Sequence, residues 1–99
     1  MAELTVIWWR DIPAQVTARE GRRRAAVELP ERFQEAIDAA AMRGGLIGTD
    51  EYLDEWRSDS RPCADDLAAE VAEERTRLDA AYSDEQLERL VRTSGKADA

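Results

Sequence analysis

The chain has 99 residues and a formal net charge of -8, with 14 Lys and Arg against 22 Asp and Glu and no histidine. That length bounds one domain with a small core, and the acidic balance disfavours nucleic acid, whose phosphates repel it. The missing histidine removes the commonest general base and metal ligand, along with every Ser-His or Cys-His nucleophile arrangement.

Leu4-Thr5-Val6-Ile7-Trp8-Trp9-Arg10 is the most apolar run and holds two of the three tryptophans. As a strand it puts Leu4, Val6 and Trp8 on one face and Thr5, Ile7 and Trp9 on the other. Both faces are largely apolar, so cover is expected on both sides. Pro13 fixes its own φ and lacks an N–H, which predicts a break or reversal at Asp11-Ile12-Pro13. Ala14 to Glu20 then alternates Ala14, Val16 and Ala18 with Gln15, Thr17 and Arg19, the pattern of a half-buried strand. Gly21 and the arginines after it form a second turn, and Ala25 to Leu29 is a third strand. The expected fold is α+β, a small antiparallel three-stranded sheet over about residues 4–29 packed with three to four helices.

From Pro30 the period changes, because Phe33, Ala36, Ile37, Ala40 and Ala41 recur at helical spacing. Pro30 suits the first turn and Gly44-Gly45 the C-terminal cap. Thr49 is the N-cap of a short helix with Asp50 and Glu51 in its first turn, carrying Tyr52, Leu53 and Trp56 and fraying by Ser58 to Pro62. A charged helix follows over Ala64 to Ala81, with a thin apolar stripe of Leu67, Val71, Leu78 and Ala81. Ser83-Asp84-Glu85-Gln86 fits a capping box, with Tyr82 placed to staple onto Leu87, and opens a last helix through about Arg92. Residues 1–92 are read as a single compact domain with an acidic helical C-terminal part. Residues 93–99 have nothing to bury and are read as a disordered tail.

No catalytic residue and no metal ligand set emerges. Cys63 is the single cysteine, so it builds no thiolate zinc or iron–sulfur site and is read as structural. The pairs Asp50/Glu51, Asp54/Glu55 and Asp65/Asp66 are solvated faces of an acidic protein before they are Mg²⁺ or acid/base couples. Gly44, Gly45 and Gly48 ahead of the Thr49 helix could cradle an anion, but Asp50 and Glu51 sit where it would go. Residues 1–24 carry five Arg against three acids, so the Arg22-Arg23-Arg24 cluster is the local exception to the negative charge. It is a solvated turn, a docking surface for an acidic partner, or a phosphate or nucleic-acid patch. Trp8 and Trp9 cannot share one side of a strand, so one ring meets the helices, and the other, Trp9, is either the candidate for binding a partner or a ring that the Thr49 helix or the Leu67 stripe wraps round to bury.

Thr5-Val-Ile-Trp-Trp-Arg-Asp-Ile-Pro-Ala-Gln-Val, Glu28-Leu-Pro-Glu-Arg-Phe-Gln-Glu-Ala-Ile-Asp-Ala-Ala-Ala-Met and Thr49-Asp-Glu-Tyr-Leu-Asp-Glu-Trp together resemble the small bacterial virulence-factor domain, named for similarity to part of conserved virulence factor C. The resemblance covers about residues 4–60 and leaves the rest as a variable helical extension. It implies no catalytic residue or cofactor. Longer relatives join the domain to helical-repeat and Nfu-like modules, which implies an adaptor role. Small members resemble proteins encoded near corrinoid- and folate-dependent methyl-transfer enzymes.

The expected function is therefore a non-catalytic accessory or adaptor protein. It binds another protein, or a second copy of itself, through Trp9, Ile7, Arg10, Arg22, Arg23 and Arg24. The competing expectation is a small anionic ligand held by the arginine-rich sheet end. A third, Mg²⁺-dependent catalysis by Asp54 and Glu55, has the least support. No cofactor is expected. No run approaches the roughly 20 apolar residues of a membrane span, and no apolar segment follows a basic start, so a cytoplasmic protein with no membrane or nucleic-acid partner is expected.

Overall fold

The computed structural model describes residues 1–97. Its elements in chain order are β1 (Glu3–Trp9), β2 (Ile12–Glu20), β3 (Arg23–Glu28), α1 (Glu31–Arg43), α2 (Asp50–Asp54), β4 (Trp56–Pro62), α3 (Leu67–Ala81) and α4 (Asp84–Arg92). The first three strands form the expected meander, but the antiparallel sheet has four strands in the order β3-β2-β1-β4. The stretch expected to be a fraying helix end is the fourth strand, paired with β1 along its whole length from Trp9↔Trp56 to Glu3↔Pro62. The two-sided apolar character of β1 thus marks a strand interior to the sheet, hydrogen-bonded on both edges.

Pro13 does not break the ladder. The β1–β2 register runs Ile7↔Gln15 and then Trp8↔Pro13, so Ala14 is the extra residue of a bulge. A bulge is where a strand tolerates a proline, because the disrupted pairing already lacks a regular donor position. The β1–β2 connection shrinks to Arg10 and Asp11, with Arg10 in the left-handed region at φ 52.

One sheet face carries Leu4, Val6, Trp8, Val16 and Ala18, and of these only Trp8 is not fully buried. Helix α3 lies against β2 and β3, which is where the thin stripe docks, with Leu67, Val71 and Leu78 buried. The stripe also contains a charge, since Glu74 is 4% exposed. Its carboxylate accepts from Arg61 of β4 at 3.2 Å and from the Arg77 guanidinium, so the buried charge is paired, as burial requires. Helix α1 follows Leu29, whose N–H donates to the Ala14 carbonyl. It buries Phe33, Ala36, Ile37, Ala40 and Ala41, as the period predicted, and packs on β2 and α4. Arg32 ties α1 to the α3–α4 connection through Asp79, the Tyr82 carbonyl and Asp84.

Both N-caps read from the sequence form: Thr49 accepts from the Tyr52 N–H, and Ser83 and Gln86 complete the capping box. Residues 93–97 depart from the expectation of a free tail. The Asp11 N–H donates to the Gly95 carbonyl, the Gly95 N–H donates to the Leu90 carbonyl, and Gly95 is buried. The last two residues of that tail lie outside the described residues. No helix among the described residues is long and apolar enough to cross a membrane.

Candidate functional site

Trp9 lies on the sheet face opposite the one that α3 covers, and it is 0% exposed. Its ring meets Tyr52 of α2 at a centroid distance of 5.7 Å, and its Nε1 donates to the Tyr52 carbonyl at 3.0 Å. The Gly95 turn closes over the ring from the other end of the chain: a Cβ at Gly95 would stand 2.9 Å from Trp9 Cζ3. A side chain with no accessible surface cannot be the contact for a partner, so the expectation for Trp9 is corrected. It is a core residue, and α2 with the turn after α4 supplies the cover that the sequence left open.

Arg10 belongs to the same buried corner. Its side chain is 8% exposed and its guanidinium lies 5.1 Å from the centre of the Trp9 ring. Nη1 donates to the Ser94 carbonyl at 2.9 Å, and Nη2 faces Glu51 at 3.3 Å and Glu55 at 3.4 Å. One cation therefore fastens the β1–β2 turn to α2 and to the C-terminal turn. Those contacts hold Arg10 at positive φ, which for a non-glycine residue costs about 1–2 kcal/mol. Arg10 is structural, and it too leaves the set of exposed candidates.

The arginine cluster splits. Arg22 stands exposed in the Gly21 turn. Arg23 donates to Glu20 at 3.2 Å and to the Asp65 carbonyl at 2.7 Å, pinning the segment ahead of α3. Arg24 turns to the opposite face, where it lines a depression of about 270 Å³ with Arg19, Glu3, Thr5, Thr17, Ile7 and Ser58. The strand parity that separates Arg23 from Arg24 prevents the three from forming one patch.

What remains is the uncovered sheet face centred on Ile7. Thr5, Ile7, Gln15 and Thr17 are half-buried there, while Arg19, Arg24, Ser58 and Ser60 are exposed. Thr5 and Ser60 join their hydroxyls at 2.8 Å across β1 and β4. Ile7 also lines a second concavity of about 430 Å³ between the sheet and the start of α1, with Gln15, Glu28, Leu29, Glu31, Gln34 and Trp56 among its neighbours. A branched aliphatic side chain thus sits between a mixed hollow that carries two glutamates and a hollow where two guanidinium groups face one carboxylate. The face offers contact area, hydroxyl groups and charges of both signs.

Of the predicted contact residues, the structure brings Ile7 and Arg24 to one surface and separates Trp9, Arg10, Arg22 and Arg23 from it. Sequence reasoning missed Arg19, Thr5, Thr17, Gln15, Ser58 and Trp56. The first four occupy the alternate positions to buried Leu4, Val6, Val16 and Ala18, so their shared face was already implied by period-2 spacing. Ser58 and Trp56 needed the fourth strand. Cys63 is half-buried, and its thiol pKa is raised by partial burial and the nearby Glu70 carboxylate against the opposing Arg61. That setting keeps it a thiol rather than a nucleophilic thiolate. Among the described residues no group of three or more His, Cys, Asp or Glu is placed to hold a metal ion.

The family model described as Virulence factor matches residues 7–91. The match takes in α3 and α4, so the C-terminal helices are part of the family's pattern and not a variable addition beyond residue 60. No curated protein and no solved structure matches the chain.

Proposed function

This chain belongs to the virulence-factor family, and we propose that it is a non-catalytic accessory protein that receives a protein partner on the Ile7 face of its sheet. The observation that carries this reading is the position of Ile7, a half-buried aliphatic side chain flanked by Thr5, Gln15 and Ser58 beside the sealed Trp9. Two concavities meet at it. A complementary partner places an apolar side chain against Ile7 and Trp56 and carboxylates near Arg19 and Arg24. Apolar contact at the centre and charge at the rim is the usual division of labour in an interface. The family resemblance suggests a corrinoid- or folate-dependent methyl-transfer enzyme as the partner.

The experiment uses the immobilised chain to capture proteins from native cells. Binding of the identified partner is then measured by calorimetry to the parent, Ile7→Asp and Arg24→Glu proteins. Loss of binding in Ile7→Asp and a salt-sensitive weakening in Arg24→Glu, with unchanged circular dichroism, support the proposal. Unchanged binding in both variants refutes it.

A second reading rests on Arg19 and Arg24 at the smaller depression, which could take a small anion. A saturable thermal shift with folates, cobamides or nucleotides that disappears in Arg24→Glu would favour that ligand over a protein partner.

A further inference from the structure

We propose that the free edge of β4 is a self-association edge, where a second copy of this chain adds its own β4 antiparallel and the two sheets become one. Every residue from Arg57 to Pro62 is exposed, so the edge lies open along its length. Its pairing with β1 runs without a bulge, and a straight, uncovered edge presents unpaired backbone groups to another strand.

The backbone itself shows which groups are free. The Cys63 N–H donates to the Ala2 carbonyl and the Arg10 N–H donates to the Glu55 carbonyl, each at 3.1 Å. In an antiparallel ladder every second residue bonds to one neighbour, so Glu55, Arg57, Asp59, Arg61 and Cys63 point their backbone groups at β1. Trp56, Ser58 and Ser60 point theirs outward, and Pro62, the next in that series, has no N–H.

The charges select one register. Arg57, Asp59 and Arg61 share the sheet face of Val6 and Leu4, so in a symmetric dimer they meet one another across the new seam. A two-fold axis at Asp59 sets Asp59 against Asp59 and Arg57 against Arg61, which is repulsive at both places. An axis at Ser60 makes Pro62 a hydrogen-bonding partner it cannot be. An axis at Ser58 avoids both faults. It puts Arg57 opposite the second copy's Asp59 and Glu55 opposite its Arg61, while Ser58 pairs with Ser58 and Trp56 with Ser60 through outward-facing N–H and C=O groups. Opposite charges directly across an antiparallel pair stabilise it, and like charges oppose it.

Arg57 and Asp59 already touch within one chain at 2.9 Å, and Arg57 also faces Asp11 and stacks on Trp8. Across the seam these groups form an alternating cluster of two arginines and two aspartates. The seam borders the Ile7 face and shares Trp56, Ser58 and Ser60 with it, but it is held by the outward backbone groups of β4, which that face does not use. The self-association does not depend on the functional reading above.

Sedimentation equilibrium over a range of protein concentrations tests the proposal. The parent chain is expected to rise from one chain mass to two. Ser58→Pro removes an outward N–H and inserts a ring into the seam, on an edge where proline is tolerated by the strand itself; it is expected to stay at one chain mass with unchanged circular dichroism. Asp59→Arg places four arginines at the seam and is expected to stay monomeric alone. Mixed with Arg57→Glu, it should form a heterodimer, because the introduced arginine then faces the introduced glutamate and the first chain's Arg57 faces the second chain's Asp59. A parent chain that stays monomeric throughout overturns the proposal, as does a folded Ser58→Pro that dimerises like the parent. Should Arg57→Glu not fold, the comparison of the parent with Ser58→Pro decides alone.

Discussion

Replacing Gly95 with alanine measures whether the segment after α4 closes the core. Gly95 has φ +88, and a Cβ there would lie 2.9 Å from Trp9 Cζ3, 3.3 Å from Trp9 Cε3 and 3.2 Å from Arg10 Cβ. The neighbours cannot retreat easily. Trp9 is fully buried between Tyr52 and this turn, and Arg10 is fixed by the Ser94 carbonyl and two glutamates. An L-residue at this φ costs about 1–2 kcal/mol, and forcing a methyl into a filled site adds about 1–3 kcal/mol. Together these make a loss of about 2–5 kcal/mol, against a total stability of about 5–15 kcal/mol for a domain of this class. Gly21→Ala separates the two contributions, because Gly21 also has positive φ, at +59, but nothing lies within 4 Å of its added Cβ. Urea unfolding followed by tryptophan fluorescence and circular dichroism reads both. At a slope of about 1–2 kcal/mol per molar, Gly95→Ala should lower the midpoint by about 1–5 M and clearly more than Gly21→Ala. A Gly95→Ala protein within about 0.5 kcal/mol of the parent would show that residues 93–97 do not seal Trp9.

Trp9→Ala should destabilise the fold by about 3–5 kcal/mol, seen as a collapse of the thermal transition, whereas Ile7→Ser should melt close to the parent. Ser83→Ala removes the capping-box acceptor and should cost about 1 kcal/mol in urea unfolding. The phenol pKa of Tyr82 is raised, chiefly by burial and secondarily by the Asp11 carboxylate, with Arg57 opposing. The folded state therefore holds the neutral phenol more strongly than the unfolded chain does. Its contribution is complete below the ordinary phenol pKa of about 10 and is lost as pH rises through the folded-state value. The urea midpoint of the parent should consequently fall more between pH 8 and pH 11 than that of Tyr82→Phe.

The elements legible in the sequence were those whose signals are local. Pro30 and Gly44-Gly45 bracket α1, Thr49 and Ser83 cap their helices, and alternation along Ala14 to Arg19 separates the buried from the open face of β2. Two features were hidden for physical reasons. Strand β4 has no apolar alternation because both its faces and its outer edge meet water, and its period-2 signal is carried by Arg57, Asp59 and Arg61 instead. The Gly95 turn buries no side chain of its own, so no hydrophobic count reveals it; its contribution is to let backbone approach the Trp9 ring.

These two hidden features decide the site. An apolar strand face needs cover, and no rich apolar stripe is left in the sequence to say whether Trp9 meets the Thr49 helix or a partner. The cover came from Tyr52 of a five-residue helix and from a glycine turn, neither of which has the stripe that pattern reading seeks. With Trp9 sealed, the same face is left open two residues earlier, at Ile7, where β4 contributes Ser58 and Ser60 rather than bulky side chains. Filling that face from β4, for example by Ser58→Leu, would cover Ile7 without touching Trp9. A gain in thermal stability accompanied by loss of partner binding is the pairing expected when a face is kept open for function at some cost in stability. A gain in stability with binding intact would place the partner elsewhere on the molecule.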